Sequence, residues 1–259
     1  MSRVPCATVE AGIVYLVGAG PGAADLLTLR AARLLAEADI VFHDALVPQA
    51  ILALAPRAEK VSVGKRSGRH STAQHFINKR LADAARQHRI VVRLKGGDPM
   101  LFGRAQEEID HLRAQGIPVE IVPGVTAAFA ASAELGMSLT QRGRARSVAF
   151  VTPRVGAGEA GSTWVQTVLA ADTAAIYMGA GEAAAISAAL IGAGKPAATP
   201  VAVIENASLD AAVACGRLVE LPQLAAQLSG GPVLILLGEV LRKAVSAGRR
   251  ATARRRLAR

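Results

Sequence analysis

Runs of consecutive apolar residues alternate with segments of helical periodicity through the first half of the chain. The apolar runs have the length of buried strands, which are predicted at residues 13–17, 39–47, 60–64, 90–95 and 117–122. Between them, apolar residues recur every three or four positions, which predicts helices over residues 26–38, 73–88 and 104–115. The alternation of strand and helix predicts an α/β fold with a largely parallel sheet and helices on both faces.

The spacing between candidate strands lengthens in the second half of the chain. Residues 123–136 predict a helix of small residues at a domain junction, and a turn is expected around Cys215 and Gly216. Further strands are predicted at 147–152, 173–179, 199–207 and 232–240, with helices at 182–193 and 222–228. The predicted organisation is a flexible N-terminus (1–11), an N-terminal α/β domain (12–122), a C-terminal α/β domain with a mixed sheet (123–241) and a basic tail (242–259).

The composition of the chain limits the classes of protein to which it can belong. The 259 residues are 51% hydrophobic and only 3% aromatic, which suits an α/β protein with small residues between its helices. No apolar run reaches the roughly 18–20 residues that span a bilayer, and the N-terminus lacks the apolar core of a signal peptide. The two cysteines, Cys6 and Cys215, indicate neither a disulfide framework nor a zinc site. A cytoplasmic protein is therefore expected.

The net charge of +10 is concentrated at the C-terminus. From Arg242 to Arg259 there are eight positive charges and no acid, which leaves 10 − 8 = +2 for the rest of the chain. Such a tail is typical of a disordered, solvated segment, and contact with nucleic acid is the alternative.

Residues that could bind a ligand or take part in catalysis come directly after the predicted strands. The carboxyl ends of parallel strands meet at one edge of a sheet, so the loops that follow them are expected to lie together. Those loops are GAGPG (18–22), His43-Asp44, the basic loop 65–71 and GGDP (96–99). Gly96 and Gly97 would let the main chain approach a ligand closely, and Asp98 could accept hydrogen bonds from ligand hydroxyls or an ammonium. A strand-to-helix connection without a ligand is the alternative, and GAGPG by itself also allows a dinucleotide-binding turn, although Pro21 argues against it.

An ordered set of segments along the chain resembles the tetrapyrrole methylase family. The segments are VGAGPG (17–22), LLTLRA (26–31), HDALV (43–47), VGKRSGRHS (63–71), RLKGGDP (93–99), FGR (102–104), VPGVTAA (122–128), SVAFVT (147–152), YMG (177–179), TPVAVIEN (199–206) and LGEV (237–240). The resemblance covers about residues 12–241. Within the family, GKRSGRHS and YMG resemble the members that methylate uroporphyrinogen III.

The resemblance implies a two-domain α/β fold that binds S-adenosylmethionine (SAM) in the cleft between its domains, and a homodimer. It implies two successive methyl transfers, to C2 and C7 of uroporphyrinogen III, which give precorrin-2 for sirohaem, cobalamin or haem d1 synthesis. It implies Asp44 as proton acceptor and Lys65 as proton donor. The positions that match the family's SAM site are Pro21, Gly96, Gly97, Asp98, Leu101, Thr126, Ala127, Met178 and Ala207.

The residues agree with that chemistry. SAM carries an activated methyl group, so no metal is required. Methylation of a pyrrole carbon gives a cation that must lose a proton, and a carboxylate such as Asp44 can accept it; helix capping ahead of Ala45 is the alternative for Asp44. Uroporphyrinogen carries eight carboxylates, and the basic residues Arg66, Arg69 and His70 would bind them beside Lys65. Arg142, Arg144 and Arg146 are further candidates.

The chain departs from the family pattern at a few positions. His43 stands where the family usually has Tyr, Met100 replaces Phe, Ala105 replaces Gly, Gln141 replaces His and Ala207 replaces Gly. These departures leave open a sibling methylase that acts on a later precorrin. Two other classes stay open as well: a nucleic-acid-binding module that uses the basic tail, and a nicotinamide-dependent dehydrogenase, for which GAGPG would be the only support.

Overall fold

The computed structural model describes residues 11–63, 72–156 and 161–246, together with the backbone of residues 251 and 252. The chain divides into two compact units, and the division falls between Thr126 and Ala127. It lies slightly after the boundary predicted between residues 122 and 123.

The first unit is built on a parallel five-stranded sheet. Its strands are β1 (Ile13–Gly18), β2 (Ile40–His43), β3 (Glu59–Ser62), β4 (Ile90–Lys95) and β5 (Val119–Val122), in the order β3-β2-β4-β1-β5. All four pairings are parallel. The register aligns the strand ends, because Gly18 lies opposite Lys95 and His43 lies opposite Leu94.

Helices cover both faces of this sheet. They are α1 (Leu29–Glu37), α2 (Gln49–Leu52), α3 (Thr72–Ala85) and α4 (Ala105–Ala114). Val92 and Leu94 pack with α1 and α2 in one buried cluster, whereas Val91 packs with α3 and α4 in the other. Alternate residues of β4 therefore enter opposite layers, as the period of a strand requires. The predicted parallel sheet with helices on both faces is confirmed.

The second unit holds a mixed sheet. Its strands are β6 (Val148–Val151), β7 (Thr173–Tyr177), β8 (Pro200–Glu205), β9 (Ala212–Arg217), β10 (Val233–Gly238) and β11 (Ala251–Thr252), in the order β11-β9-β8-β10-β7-β6. The β6–β7 pair is parallel and the other pairs are antiparallel. The mixed sheet predicted for this half is confirmed.

Helices also pack on both faces of the second sheet. They are α5 (Ala127–Leu135), α6 (Trp164–Ala170), α7 (Ala183–Gly192), α8 (Leu221–Ala225) and α9 (Arg242–Ser246). Ala128 and Ala131 of α5 pack against one face of the strands. Ile186 and Leu190 of α7 pack against the other face. Small side chains on α5 and larger ones on α7 thus fill two separate apolar layers.

Two of the errors in the sequence prediction concern strands. The segment around Cys215 and Gly216 is not a turn but part of β9, which pairs with β8 along six residues. The strand predicted over residues 39–47 ends at His43, and a turn closed by the Val47 N–H to Asp44 carbonyl bond follows it. The first error arises because a short strand of small residues carries little signal of its own, and the second because a local apolar run does not indicate where a partner strand ends. No helix in the described part of the chain is both long and apolar enough to cross a bilayer.

Candidate active site

Four loops lie side by side at the carboxyl edge of the parallel sheet. The neighbouring strands β2, β4, β1 and β5 lead in turn into Asp44, the GGDP turn (96–99), GAGPG (18–22) and the segment 123–126. The grouping predicted for His43-Asp44, GGDP and GAGPG at one edge is therefore seen, and the segment 123–126 lies there as well. The basic residues Lys65, Arg66, Arg69 and His70 lie outside the described residues.

Three glycines bring three of these loops into main-chain contact. A Cβ on Gly18 would lie 2.6 Å from the Gly124 Cα and 2.7 Å from the Gly97 oxygen. A Cβ on Gly124 would lie 2.4 Å from the same Gly97 oxygen. Side chains do not tolerate such distances to backbone atoms, so only glycine fits at Gly18 and Gly124.

The GAGPG loop and the GGDP turn also pair through their backbones. The Gly97 N–H donates to the Gly20 oxygen at 2.7 Å, and the Gly20 N–H donates to the Gly97 oxygen at 3.2 Å. Both glycines have a positive φ, +70° for Gly20 and +68° for Gly97, a conformation that other residues rarely adopt. Pro21 follows Gly20 and is half-buried.

Asp98 fastens the turn from the side. Its Oδ1 accepts a hydrogen bond from the Met100 N–H at 2.8 Å, and its Oδ2 accepts one from the Gly124 N–H at 2.9 Å. The carboxylate therefore joins the loop after β4 to the loop after β5. Sequence analysis placed Asp98 in a ligand site but did not foresee that its two oxygens hold the backbone.

The surface that the turn presents is suited to a small polar ligand. Gly96 is exposed, and no atom lies within 4 Å of the place that a Cβ on Gly97 would occupy. Leu101 lies half-buried after the turn, and its N–H donates to the Asp98 carbonyl at 3.3 Å. This open, rigidly braced backbone fits the close approach that the resemblance requires of the methionine part of SAM.

Asp44 lies at the end of β2 in an ion pair. Arg93 Nη2 donates to Asp44 Oδ1 at 2.6 Å. Arg93 is 3% exposed, whereas the Asp44 side chain is 31% exposed. Among the described residues, Arg93 donates to Oδ1 of the Asp44 carboxylate, and no group donates to Oδ2. Asp44 is therefore a partly accessible carboxylate held from the inside by a buried arginine. The helix-capping alternative is not supported, because α2 begins only at Gln49.

Behind Asp44 lies a buried network of charged side chains. Glu108 on α4 is fully buried, and its Oε1 accepts from Arg93 Nε at 3.1 Å and from Lys95 Nζ at 3.0 Å. Lys95 Nζ also donates to Glu108 Oε2 at 3.0 Å. From α3, Gln74 Nε2 donates to Glu108 Oε1 at 3.1 Å and to Asn78 Oδ1 at 2.9 Å. Every member thus has a hydrogen-bonding partner, as buried charges require.

The network shifts the pKa values of its two cations in opposite directions. Burial lowers the pKa of Arg93, but the nearby charges of Asp44 and Glu108 outweigh it, and the pKa lies above its ordinary value. For Lys95, burial and the charge of Arg93 lower the pKa against the opposing effect of Glu108. Arg93 is therefore the more firmly charged of the two.

Sequence analysis missed Arg93, Lys95 and Glu108 as functional candidates. A signal was present, because Arg93 and Lys95 flank Leu94 inside a strand whose apolar residues from Val91 onward are buried. Charged residues at such positions are almost never buried without partners. The partner Glu108 lies 15 residues beyond Arg93 in sequence, on the helix that follows the turn.

The predicted SAM-binding residues between positions 126 and 207 lie in or beside several secondary-structure elements. Thr126 is buried at the end of the first unit, and Ala127 is the first residue of α5. In the second unit, Met178 follows β7 with a φ of +57° and is 43% exposed, while Ala207 follows β8 and is buried. The Tyr177 hydroxyl accepts a hydrogen bond from the Ala128 N–H at 3.2 Å, which ties the end of β7 to the start of α5.

One other predicted group can be located. Arg142, Arg144 and Arg146 are all exposed, in or next to the turn closed by the Gln141–Ala145 bridge. Within residues 11–63, 72–156 and 161–246, no group of three His, Cys, Asp or Glu side chains could hold a metal ion.

Comparisons with known proteins agree with this arrangement. A sequence model described as Tetrapyrrole (Corrin/Porphyrin) Methylases matches residues 13–222. Siroheme synthase of Pseudomonas fluorescens (strain Pf0-1) is 46% identical over 238 residues, which are 91% of this chain and 51% of that protein. The chain thus spans about half the length of this curated relative.

Solved structures match over nearly their whole length. Uroporphyrin-III C-methyltransferase from Thermus thermophilus, in complex with S-adenosyl homocysteine, is 42% identical, with a TM-score of 0.79 and coverage of 90% of this chain and 100% of that chain. A cobalt precorrin-4 methyltransferase is 28% identical, with a TM-score of 0.77 and coverage of 88% and 95%. The chain therefore belongs to the family of tetrapyrrole methylases.

Proposed function

We propose that this chain is a SAM-dependent uroporphyrinogen-III C-methyltransferase that methylates C2 and C7 and forms precorrin-2. The observation that carries this proposal is the 42% identity over the full length of the Thermus enzyme. Precorrin-2 would serve sirohaem, cobalamin or haem d1 synthesis, and the siroheme synthase relatives favour the first of these.

The turn at residues 96–98 is the proposed binding site of SAM. When bound, SAM supplies a methyl group on a sulfonium that is already activated for transfer. The chain's own task is to hold the reactants in line and exclude water. Gly96, Gly97 and Leu101 would contact SAM with the main chain, and Asp98 fixes their geometry through Met100 and Gly124. Pro21, Thr126, Ala127, Met178 and Ala207 remain proposed contacts.

Asp44 is the proposed proton acceptor. After methyl transfer the tetrapyrrole carries a positive charge and must lose a proton from carbon. A carboxylate stabilises that charge and takes the proton. The Asp44 side chain is partly exposed and Arg93 donates to its Oδ1; since none of the described residues donates to Oδ2, Oδ2 is the oxygen proposed to face the substrate. Lys65 remains the proposed proton donor.

The remaining site residues are proposed because the substrate carries many negative charges. Eight carboxylates on uroporphyrinogen call for several cations, and guanidinium groups bind carboxylates in a bidentate manner. Arg66, Arg69 and His70 are proposed for this role, with Arg142, Arg144 and Arg146 as further candidates. A homodimer and a cytoplasmic location are proposals from sequence of the same kind. The disordered tail expected at 242–259 is wrong for the part that the structure describes, because residues 242–246 form α9 and residues 251–252 pair with β9 as β11.

The first experiment is an anaerobic incubation of the purified chain with SAM and either uroporphyrinogen III or precorrin-4, followed by mass spectrometry. The proposal predicts the gain of two methyl groups on uroporphyrinogen III and none on precorrin-4. The lower identity to the cobalt precorrin-4 methyltransferase favours this outcome. Methylation of precorrin-4 alone would establish the sibling activity instead.

Replacement of Asp44 by asparagine tests the role of the carboxylate. Asparagine still accepts a hydrogen bond from Arg93 but cannot take a proton, so turnover should fall about 100-fold or more. SAM affinity, measured by calorimetry, should change little. Asp110→Asn, on the exposed face of α4, is the matched control. Equal losses of turnover and SAM affinity would contradict the assignment of Asp44 as the base.

A further inference from the structure

The ion pair between Asp44 and Arg93 is the outer end of a chain of contacts that begins in the protein interior. Arg93 donates to Asp44 through Nη2, to Glu108 through Nε and to the Leu94 carbonyl through Nη1 at 3.3 Å. One side chain therefore bridges a fully buried carboxylate and a carboxylate that reaches the sheet edge. Asp44 and Arg93 are 49 residues apart in sequence, so only the fold brings them together.

The charges along this chain of contacts balance. The cations Arg93 and Lys95 face the anions Glu108 and Asp44. Glu108 has no access to water and is held by both cations and by Gln74. Because a buried charge without a partner is strongly unfavourable, Glu108 fixes the position of Arg93 from behind.

The geometry requires an arginine. The planar guanidinium presents several N–H groups in fixed directions, so it can hold Asp44, Glu108 and a main-chain oxygen at once. A lysine carries a single point charge at the same depth and would have to choose between the two carboxylates. Lys95, two residues further along β4, shows this behaviour, since its Nζ donates to both oxygens of one carboxylate, that of Glu108.

We propose that Arg93 is a positioning residue that acts through Asp44: anchored by Glu108, it holds Oδ1 and thereby orients Oδ2 toward the tetrapyrrole. This inference deepens the proposed function and rests on it. Arg93 itself contacts neither substrate nor SAM in this scheme. Its contribution should therefore be visible only while Asp44 can act as a base.

A double-mutant cycle tests the proposal. The variants are Arg93→Lys, Asp44→Asn and the double variant, measured in single turnovers with SAM and uroporphyrinogen III. Arg93→Lys alone should lower the rate about 10- to 100-fold, the size expected from a small misplacement of a reacting group. In the Asp44→Asn background the same change should have almost no further effect, because residues that act as one unit are not additive.

Two further measurements separate positioning from general damage. SAM affinity should be nearly unchanged in Arg93→Lys, whereas the midpoint of thermal unfolding should fall because buried hydrogen bonds are lost; the rate is therefore measured well below that midpoint. Arg86→Lys, in the exposed ion pair with Asp83, is the matched control and should leave the rate unaffected. If Arg93→Lys fails to fold, the double replacement Lys95→Met/Glu108→Gln takes its place in the cycle with Asp44→Asn. It removes one cation and one anion together and weakens the anchor of Arg93.

The outcomes are distinct. A loss that vanishes when Asp44 is already asparagine supports the proposal. An equal loss in both backgrounds, or no loss at all in an active enzyme, overturns it and leaves the proposed function intact. A wild-type protein that does not methylate uroporphyrinogen III overturns the proposed function, and the role of Arg93 with it.

Discussion

At the scale of single residues, the site depends on glycines, because they have no Cβ atom. Gly18, Gly97 and Gly124 allow three loops to meet through their main chains. Sequence analysis singled out the glycines of the GGDP turn, but the contact between Gly18 and Gly124 joins segments far apart in the chain. A glycine in a loop shows that space or conformation matters, not which neighbour occupies the space.

Replacement of Gly124 by alanine should therefore be costly. The new methyl group would lie 2.4 Å from the Gly97 oxygen, and a main-chain atom cannot step aside as a flexible side chain can. We expect a loss of about 1–3 kcal/mol in the free energy of unfolding, together with weaker SAM binding. Urea unfolding and calorimetry measure the two effects.

Gly192→Ala is the matched control for that variant. Gly192 ends α7, has no atom within 4 Å of the place that a Cβ would occupy and is not among the residues with positive φ. It should be neutral or slightly stabilising. Equal losses in the two variants would show that the crowding around Gly124 is not what matters.

At the scale of secondary-structure elements, α1 is a helix whose start is set by one hydroxyl group. Thr28 is the N-cap, and its Oγ1 accepts a hydrogen bond from the Ala31 N–H at 3.1 Å. The sequence predicted one helix over residues 26–38. The structure instead has a short 3₁₀ turn, Ala24–Leu26, followed by α1 from Leu29. Threonine side chains compete for such main-chain bonds, which places the helix boundary at the cap.

Thr28→Ala should lower the free energy of unfolding by about 1 kcal/mol. Thr163→Ala provides a matched control, because Thr163 is the N-cap of α6 but makes no side-chain capping bond. Its effect should be clearly smaller. Urea unfolding of both variants under the same conditions makes the comparison, and equal losses would argue against a capping role for Thr28.

In the second unit, a buried carboxylate holds the end of β8. Glu205 is 1% exposed, and its Oε2 accepts bonds from the Ser229 N–H at 3.0 Å and from the Ser229 hydroxyl at 2.9 Å. Its Oε1 accepts from the Gly231 N–H. Burial by itself would raise the pKa of Glu205, but these hydrogen bonds outweigh it and the pKa lies below its ordinary value.

The lowered pKa of Glu205 predicts a pH-dependent contribution to stability. A carboxylate with a depressed pKa stabilises the folded state above its unfolded pKa of about 4.3, and the contribution is lost as the pH falls through the folded value. Glu205→Gln should therefore be less stable than wild type at neutral pH, and its stability should fall less on acidification. Urea unfolding at neutral and at acid pH tests this. Glu37→Gln, at an exposed position, should follow the wild type.

At the scale of the whole molecule, each unit has its own sheet and its own pair of apolar layers. A ligand that binds the folded chain stabilises it by mass action, by about 2.7 kcal/mol at a concentration 100 times its dissociation constant. S-adenosyl homocysteine, which accompanies the Thermus relative, is the appropriate probe. The rise in unfolding temperature then reports the integrity of the proposed SAM site.

Asp98→Ala should remove about half of that rise or more. Without its carboxylate, the GGDP turn loses its bonds to the Met100 and Gly124 N–H groups, and the main chain that is proposed to contact SAM is no longer fixed. We expect affinity for S-adenosyl homocysteine to fall about 10-fold or more, which corresponds to the loss of a charge-assisted hydrogen bond. Asp110→Ala on the exposed face of α4 is the control. Unchanged affinity in Asp98→Ala would remove this turn from the site.

Much of this architecture was readable from local patterns. The strands β1 and β2 of the first unit are near-continuous apolar runs because they lie inside the sheet, and the parallel sheet follows from the alternation of strands with helices. Cys215 and Gly216 were misread as a turn because a short strand with small residues carries little signal of its own. The buried network around Glu108 was missed because its members come from a strand, two helices and a loop.

The sequence by itself determined the order of elements, the two α/β units and the loops at the carboxyl edge of the first sheet. It did so because periodicity and glycine or proline positions act locally, within a few residues. Only the tertiary structure decided that Asp98 braces two loops and that Arg93 joins Asp44 to Glu108. Those contacts depend on strand order and on which face of β4 meets α3 and α4, and both are settled by the packing of the whole sheet.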